Sequence, residues 1–240
     1  EFKSDYASAQ ATFYTASNDK IANDPSPFST ALYEASPSAR IKEVGSVGQA
    51  WQPGSGHTAR FSYAFNTGAT SGSKEEVRLF KSDGTSTGFY AANKLFRSET
   101  LDANGHATIA FTDQHGRLVA KKTQLDETIN GVSVTYLETY YIYNDLGKVK
   151  YIITPGGTKL LKSNGWNVAI IKDLYAYQFV YDAMGRVVEK KDPGKAADYM
   201  VYDSLNRVVL MQDGMLRAQK KCQGFIAIRW IQPGPQCRQR

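Results

Sequence analysis

Apolar and polar positions alternate along much of this chain. Phe61, Tyr63 and Phe65 are separated by Ser62 and Ala64, the period of a strand with one face against a core and the other toward water. Tyr175, Tyr177, Phe179 and Tyr181 form a second such face, with Ala176, Gln178 and Val180 opposite. Between the alternating runs lie pairs that tolerate positive φ in tight turns: Asp83-Gly84, Asn104-Gly105, Asn130-Gly131 and Asp213-Gly214. Asn130-Gly131 predicts a hairpin, because the strand-like VSVTYLETYYIY follows it. No helical stripe with caps stands out in 75–214, so that body is expected to be predominantly β. Residues 1–40, rich in Ala, Ser, Asn and Pro, read as loop with short strands, and 66–76 as a flexible loop.

One unit recurs. YDAMGRVV begins at Tyr181 and YDSLNRVV at Tyr202. A strand is expected to end at the tyrosine, turn through four residues, and restart at Arg186 or Arg207. Asp182 and Asp203 can accept hydrogen bonds from amides two residues on, while Gly185 and Asn206 supply the left-handed residue. The tyrosine ring can pack beside the turn, and the arginine stem can cover aromatic surface. YNDLGKVK from Tyr143 has the same frame, with Asp145 as the turn acid, Gly147, and Lys148 in the arginine place; FTDQHGRLV from Phe111 keeps Gly116 and Arg117. The starts are 32, 38 and 21 residues apart, which insertions between hairpins would explain. Each hairpin alone cannot bury its face and must stack on its neighbours.

Composition adds little except at the C-terminal end. The net charge of +6 sits entirely in 215–240, where Arg217, Lys220, Lys221, Arg229, Arg238 and Arg240 meet no acid; residues 1–214 balance at 23 basic and 23 acidic. The body therefore lacks an electrostatic footprint for phosphate, and no nucleic-acid partner is expected. Both cysteines, Cys222 and Cys237, lie in the same tail. No apolar run is long enough for a membrane span. The organisation expected is an irregular lead and junction over 1–60, repeat hairpins over 61–214, and a divergent or foreign tail over 215–240. A start at Glu1-Phe2 reads as a piece cut from a longer protein.

Candidate chemistry is sparse. His57, His106 and His115 fit no metal-ligand spacing, and neither metal nor cofactor is expected. Asp113, Asp145, Asp182 and Asp203 could be imagined as a calcium or acid-catalytic row. Each loop, however, offers only one or two carboxylates, and turn capping explains all four. GSVGQAWQPGSG lacks the Lys-Ser/Thr of a phosphate loop. No nucleophile, base and acid can be assembled, so the chain is read as non-enzymatic.

The units at Tyr143, Tyr181 and Tyr202 resemble YD repeats, the building element of Rhs (rearrangement hotspot) proteins and of toxin-complex and teneurin shells. The resemblance covers Phe111 to Gly214 closely, and the order of motifs is similar to Rhs proteins of Bacteroidetes type. YEASPSARIKEVGSVGQAWQPG and HTARFSYAFNT resemble the junction that precedes the repeats there. The resemblance implies consecutive antiparallel hairpins forming a curved extended sheet, part of a spiral shell that encloses a C-terminal toxin. It implies a secreted or cell-surface location within a longer bacterial protein acting in interbacterial competition. The partners would be neighbouring repeats and the encapsulated effector. The next Tyr-Asp turn, due near position 223, is missing from this chain. An alternative reading of the same tyrosines is a sheet face that binds carbohydrate or a cell-surface partner.

Overall fold

The computed structural model describes residues 4–15, 23–69, 73–129, 132–214, 217 and 226–227. Among them the fold is mainly β. The first strands are β1 (Thr30–Tyr33), β2 (Ile41–Gly45) and β3 (Ala59–Phe65). They are followed by β4 (Arg78–Phe80), β5 (Ser86–Phe89), β6 (Phe96–Leu101), β7 (Ala107–Thr112), β8 (Leu118–Ile129) and β9 (Val132–Tyr143). Then come β10 (Val149–Ile153), β11 (Ala176–Tyr181), β12 (Val187–Lys191), β13 (Asp198–Tyr202), β14 (Val208–Gln212) and β15 (Ile226–Ala227). Helices are few: α1 (Tyr6–Tyr14), α2 (Pro155–Ser163) and α3 (Lys172–Tyr175), with short 3-10 turns at Gln49–Trp51 and Val168–Ile170. None is long and apolar enough to cross a membrane.

Hydrogen bonding orders thirteen strands in one sheet as β1-β2-β3-β6-β7-β8-β9-β10-β11-β12-β13-β14-β15, and β4 pairs with β5 apart from it. Every pairing for which a register is defined is antiparallel. The chain divides into two compact units: 1–66, 93–114 and 122–137 form one, and 67–92, 115–121 and 138–240 the other.

In the first unit, Ala107, Ile109 and Phe111 point inward from β7 and close a core with Leu95. The alternation read at Phe61 and Tyr63 is present as half-burial, but Phe65 is exposed. Asn66 is buried, and its Oδ1 accepts from the amides of Lys94 (2.9 Å) and Leu95 (2.8 Å), pinning the end of β3 to the start of β6. The lead is more ordered than its composition suggests. Alanine-rich YASAQATFY forms α1, and β1 and β2 form a hairpin.

The second unit has the larger surprise, a helical insertion where the sequence pattern predicts none. Thr154 caps α2 through its side chain, Pro155 takes the first turn, and Lys162 sits in the last turn, each favourable at that place. Leu161 is fully buried, and Lys162 Nζ reaches Glu138 Oε1 at 2.8 Å. The chain leaving α2 delivers Trp166 to a ring cluster with Tyr140 (6.0 Å between centroids) and Phe80 (6.1 Å), and Phe80 meets Tyr140 at 5.5 Å. The Arg78 guanidinium lies between Phe89 (3.9 Å) and Trp166 (4.4 Å). Burial drives the Tyr140 phenol far above its ordinary pKa.

Turn expectations divide. Gly84 and Gly105 hold φ of +90° and +86° as the Asp-Gly and Asn-Gly pairs require. Asp213-Gly214 does not make such a turn, because the Asp213 carbonyl accepts from Arg217 N at 3.1 Å in a helical step. The Asn130-Gly131 turn lies outside the described residues, as does nearly all of the basic tail.

Candidate functional site

Three hairpins of the second unit, β9–β10, β11–β12 and β13–β14, share one geometry. In the middle copy Asp182 N donates to Arg186 O (3.0 Å) and Gly185 N to Asp182 O (2.9 Å). That is a tight turn closed by a left-handed residue. Asp182 Oδ1 accepts from Met184 N and Arg186 N, both at 2.9 Å. In the last copy Asp203 Oδ1 accepts from Leu205 N and Arg207 N at the same 2.9 Å. Gly185 holds φ +76°, and Asn206 replaces it at +62°. Donation from the Arg186 amide, then from its guanidinium, holds the Asp182 carboxyl below the usual carboxylate range; Arg207 does the same for Asp203.

The copy at Tyr143 corrects one assignment. The acceptor there is Asn144, whose Oδ1 takes Leu146 N (3.1 Å) and Lys148 N (2.8 Å), while Asp145 is exposed at the next turn position. An amide oxygen serves as well as a carboxylate for two amide donors. Gly147 holds φ +72° and Gly116 +76°.

Each hairpin also carries a bulge at one place. Tyr181 pairs with Val187 but Val180 with Glu189, so Val188 is skipped. Tyr202 pairs with Val208 and Val201 with Leu210, skipping Val209. Tyr143 pairs with Val149 and Ile142 with Tyr151, skipping Lys150. The extra residue adds local twist and re-aims the outgoing strand beyond the turn.

Contacts between hairpins give the site its chemistry. Tyr143 Oη donates to Leu118 O (2.8 Å), Tyr181 Oη to Val149 O (2.7 Å) and Tyr202 Oη to Val187 O (2.8 Å). Leu118, Val149 and Val187 come directly after Arg117, Lys148 and Arg186, so every hydroxyl bonds the residue next to the previous hairpin's cation. The cations lean the other way. Arg117 lies 4.9 Å over the Tyr143 ring and Arg186 4.8 Å over that of Tyr202. Arg186 Nη1 also donates to Asp203 O (3.3 Å) and Asn206 Oδ1 (2.9 Å), while its Nε holds Asp182 at 2.7 Å. A Cβ at Gly185 would lie 3.4 Å from Lys148 Cε, and one at Gly147 3.5 Å from Arg117 Nη1, so the small turn residue leaves room for the preceding cation. Tyrosine, turn acceptor and cation thus form a ladder that can bind one hairpin to the next.

The expected aromatic face of β11 is only partly present. Tyr175 ends α3, and a Cβ at Gly157 would meet its Cβ at 2.8 Å, so that ring is committed to α2. Burial raises the Tyr181 phenol, and its hydroxyl is in the ladder. Tyr177, 37% exposed, is the ring left open to solvent. His106 lies 3.6 Å from Asp102, and the His57 ring meets Trp51 at 5.5 Å. Among the described residues no group of three or more His, Cys, Asp or Glu could hold a metal ion.

Residues 1–65 match the family described as Domain of unknown function (DUF6443). No curated protein matches the chain. Among solved structures, a crystal structure of TcdB2-TccC3 is similar at a TM-score of 0.50 and 15% identity, over 77% of this chain and 7% of that one. A Photorhabdus luminescens Tc holotoxin pore structure is similar at a TM-score of 0.46 and 13% identity, again over 77% of this chain and 7% of its own. The first likeness is one of fold, and the chain spans less than a tenth of either protein's length.

Proposed function

We propose that this chain is a non-enzymatic structural stretch of an Rhs-type repeat shell, acting within a longer bacterial protein at or outside the cell surface to enclose a C-terminal toxin or effector. The observation that carries the reading is the ladder: three consecutive hairpins joined by the same hydroxyl-to-carbonyl bond at 2.7–2.8 Å. A contact that repeats with the hairpin extends a sheet by addition, which is what a wall needs and what a single binding pocket does not. The fold likeness to TcdB2-TccC3 supports the same reading. The carbohydrate-binding alternative is left with little, since the tyrosine hydroxyls of the repeats are spent between hairpins.

Two experiments test it. Sequencing the native locus beyond the codon for Lys220 should find the frame continuing into further Tyr-Asp hairpins and a C-terminal domain; a reading frame ending at Arg240 would overturn the proposal. In the intact parent protein, that C-terminal domain should resist added protease far longer than the same domain expressed alone. Equal digestion rates would rule out enclosure.

A further inference from the structure

The β1–β2 hairpin lies inside the segment matched to the family of unknown function, and its sequence, YEASPSARI, contains no Tyr-Asp. Its geometry is nevertheless that of the repeat. Tyr33 pairs with Ile41 and Leu32 with Glu43, so Lys42 is skipped as Val188 and Val209 are. Glu34 N donates to Arg40 O at 2.9 Å, as Asp182 N does to Arg186 O at 3.0 Å. Arg40 Nε donates to Glu34 Oε1 at 2.6 Å, against 2.7 Å and 2.8 Å in the Asp182 and Asp203 hairpins. Ala39 holds φ +43° in the place of Gly185 and Asn206. The Arg40 guanidinium lies 4.4 Å over the Tyr63 ring, as Arg186 lies over Tyr202. The difference is a turn two residues longer, and the extra methylene of glutamate spans it.

We infer that β1–β2 is itself a repeat hairpin, and that its outer edge, led by Tyr33, is a binding surface for the outgoing strand of another repeat hairpin. The three later copies define the complement: an antiparallel strand with Arg or Lys followed by an aliphatic residue, whose carbonyl accepts from the tyrosine. Tyr33 stands where those tyrosines stand, yet it is 59% exposed and its hydroxyl has no partner among the described residues. Among the described residues β1 is hydrogen-bonded on one side only, to β2, which leaves its other side as a template for a further strand. This role does not depend on what the array encloses.

A synthetic peptide with the sequence of Gly185–Lys191 carries the required Arg-Val pair. Titrated into the full chain, it should bind saturably by fluorescence anisotropy and slow amide hydrogen exchange at Thr30–Tyr33. Tyr33→Phe, an exposed change that leaves the fold intact, should weaken binding about 5-fold, the loss of one net hydrogen bond. An R186A form of the peptide should weaken similarly. No saturable binding, equal affinity for Tyr33→Phe, or protection at Ile226–Ala227 instead of Thr30–Tyr33 would each overturn the inference.

Discussion

Arg186→Ala and Arg207→Ala remove the same guanidinium from two equivalent turns, but only one of them has a described neighbour to hold. Both arginines bond their own aspartate through Nε, at 2.7 Å and 2.8 Å. Arg186 alone continues to Asp203 O, Asn206 Oδ1 and the Tyr202 ring, and its side chain is 23% exposed against 52% for Arg207. A half-desolvated cation–π contact contributes about 0.5–1 kcal/mol. The two hydrogen bonds to the next turn add about 1 kcal/mol together, at the low end because they lie near the sheet's edge. Arg186→Ala should therefore cost about 2 kcal/mol. Arg207→Ala should stay within about 0.5 kcal/mol, the range of an ordinary surface change. Urea unfolding monitored by tryptophan fluorescence and far-UV circular dichroism measures both, provided the denaturant slope is unchanged. Equal losses would mean that the cation works only inside its own turn, and the ladder would lose its energetic basis.

The same contacts set three further outcomes. Tyr181→Phe removes one hydroxyl bonded to Val149 O at 2.7 Å and should cost about 1 kcal/mol in urea; no change would place that bond among the incidental ones. Trp166→Ala empties the centre of the Tyr140–Phe80 cluster and should cost about 3–5 kcal/mol with loss of near-UV dichroism, whereas a loss under about 1 kcal/mol would show that the cluster is not the unit's core. The carboxyls of Glu34, Asp182 and Asp203 titrate below their ordinary values in the folded state. The unfolded chain thus binds protons first as pH falls. Their contribution is complete above about pH 5, clear of the unfolded values, and is lost progressively as pH drops through the folded values. Asp182→Asn should flatten the acid limb of a urea-midpoint-against-pH curve, and an unaltered limb would refute the assignment.

Much of this fold could be read from the chain because alternation and turn chemistry are local. The strands ending at Tyr143, Tyr181 and Tyr202 stop where the sequence says, since an acceptor side chain, a left-handed residue and a cation come after them at fixed steps. Helix α2 was hidden for an equally local reason. Pro155-Gly156-Gly157 looks like a turn, and its buried face amounts to Gly157, Thr158 and Leu161. The Thr154-Pro155 pair was the available signal, a cap and then the residue best suited to a first helical turn. The insertion also accounts for the 38-residue gap between Tyr143 and Tyr181, because 154–175 leaves the sheet after β10 and returns at β11. Asp145 stands out over Asn144 only because it carries a charge. The acceptor is fixed by its place four residues before the cation, and there Asn144 precedes Lys148 as Asp182 precedes Arg186.

What defines the repeat is therefore geometric rather than a pair of letters. Asp, Asn and Glu all act as the acceptor; Gly, Asn and Ala all take the left-handed place; Arg and Lys both supply the cation. A search for Tyr-Asp finds Tyr181 and Tyr202 and passes over Tyr33. The β4–β5 hairpin carries part of the same geometry. Phe80 pairs with Ser86 and Leu79 with Gly88, Lys81 N donates to Thr85 O at 2.8 Å, and Gly84 holds φ +90°, so both turn and bulge are there. Phe80 has no hydroxyl, however, Lys81 stands in the acceptor place, and Thr85 stands where the cation should be. This hairpin forms a two-stranded sheet of its own and takes no place in the large one. Turn and bulge make a hairpin; in the hairpins that end β9, β11 and β13 the tyrosine hydroxyl adds a bond to the hairpin before it.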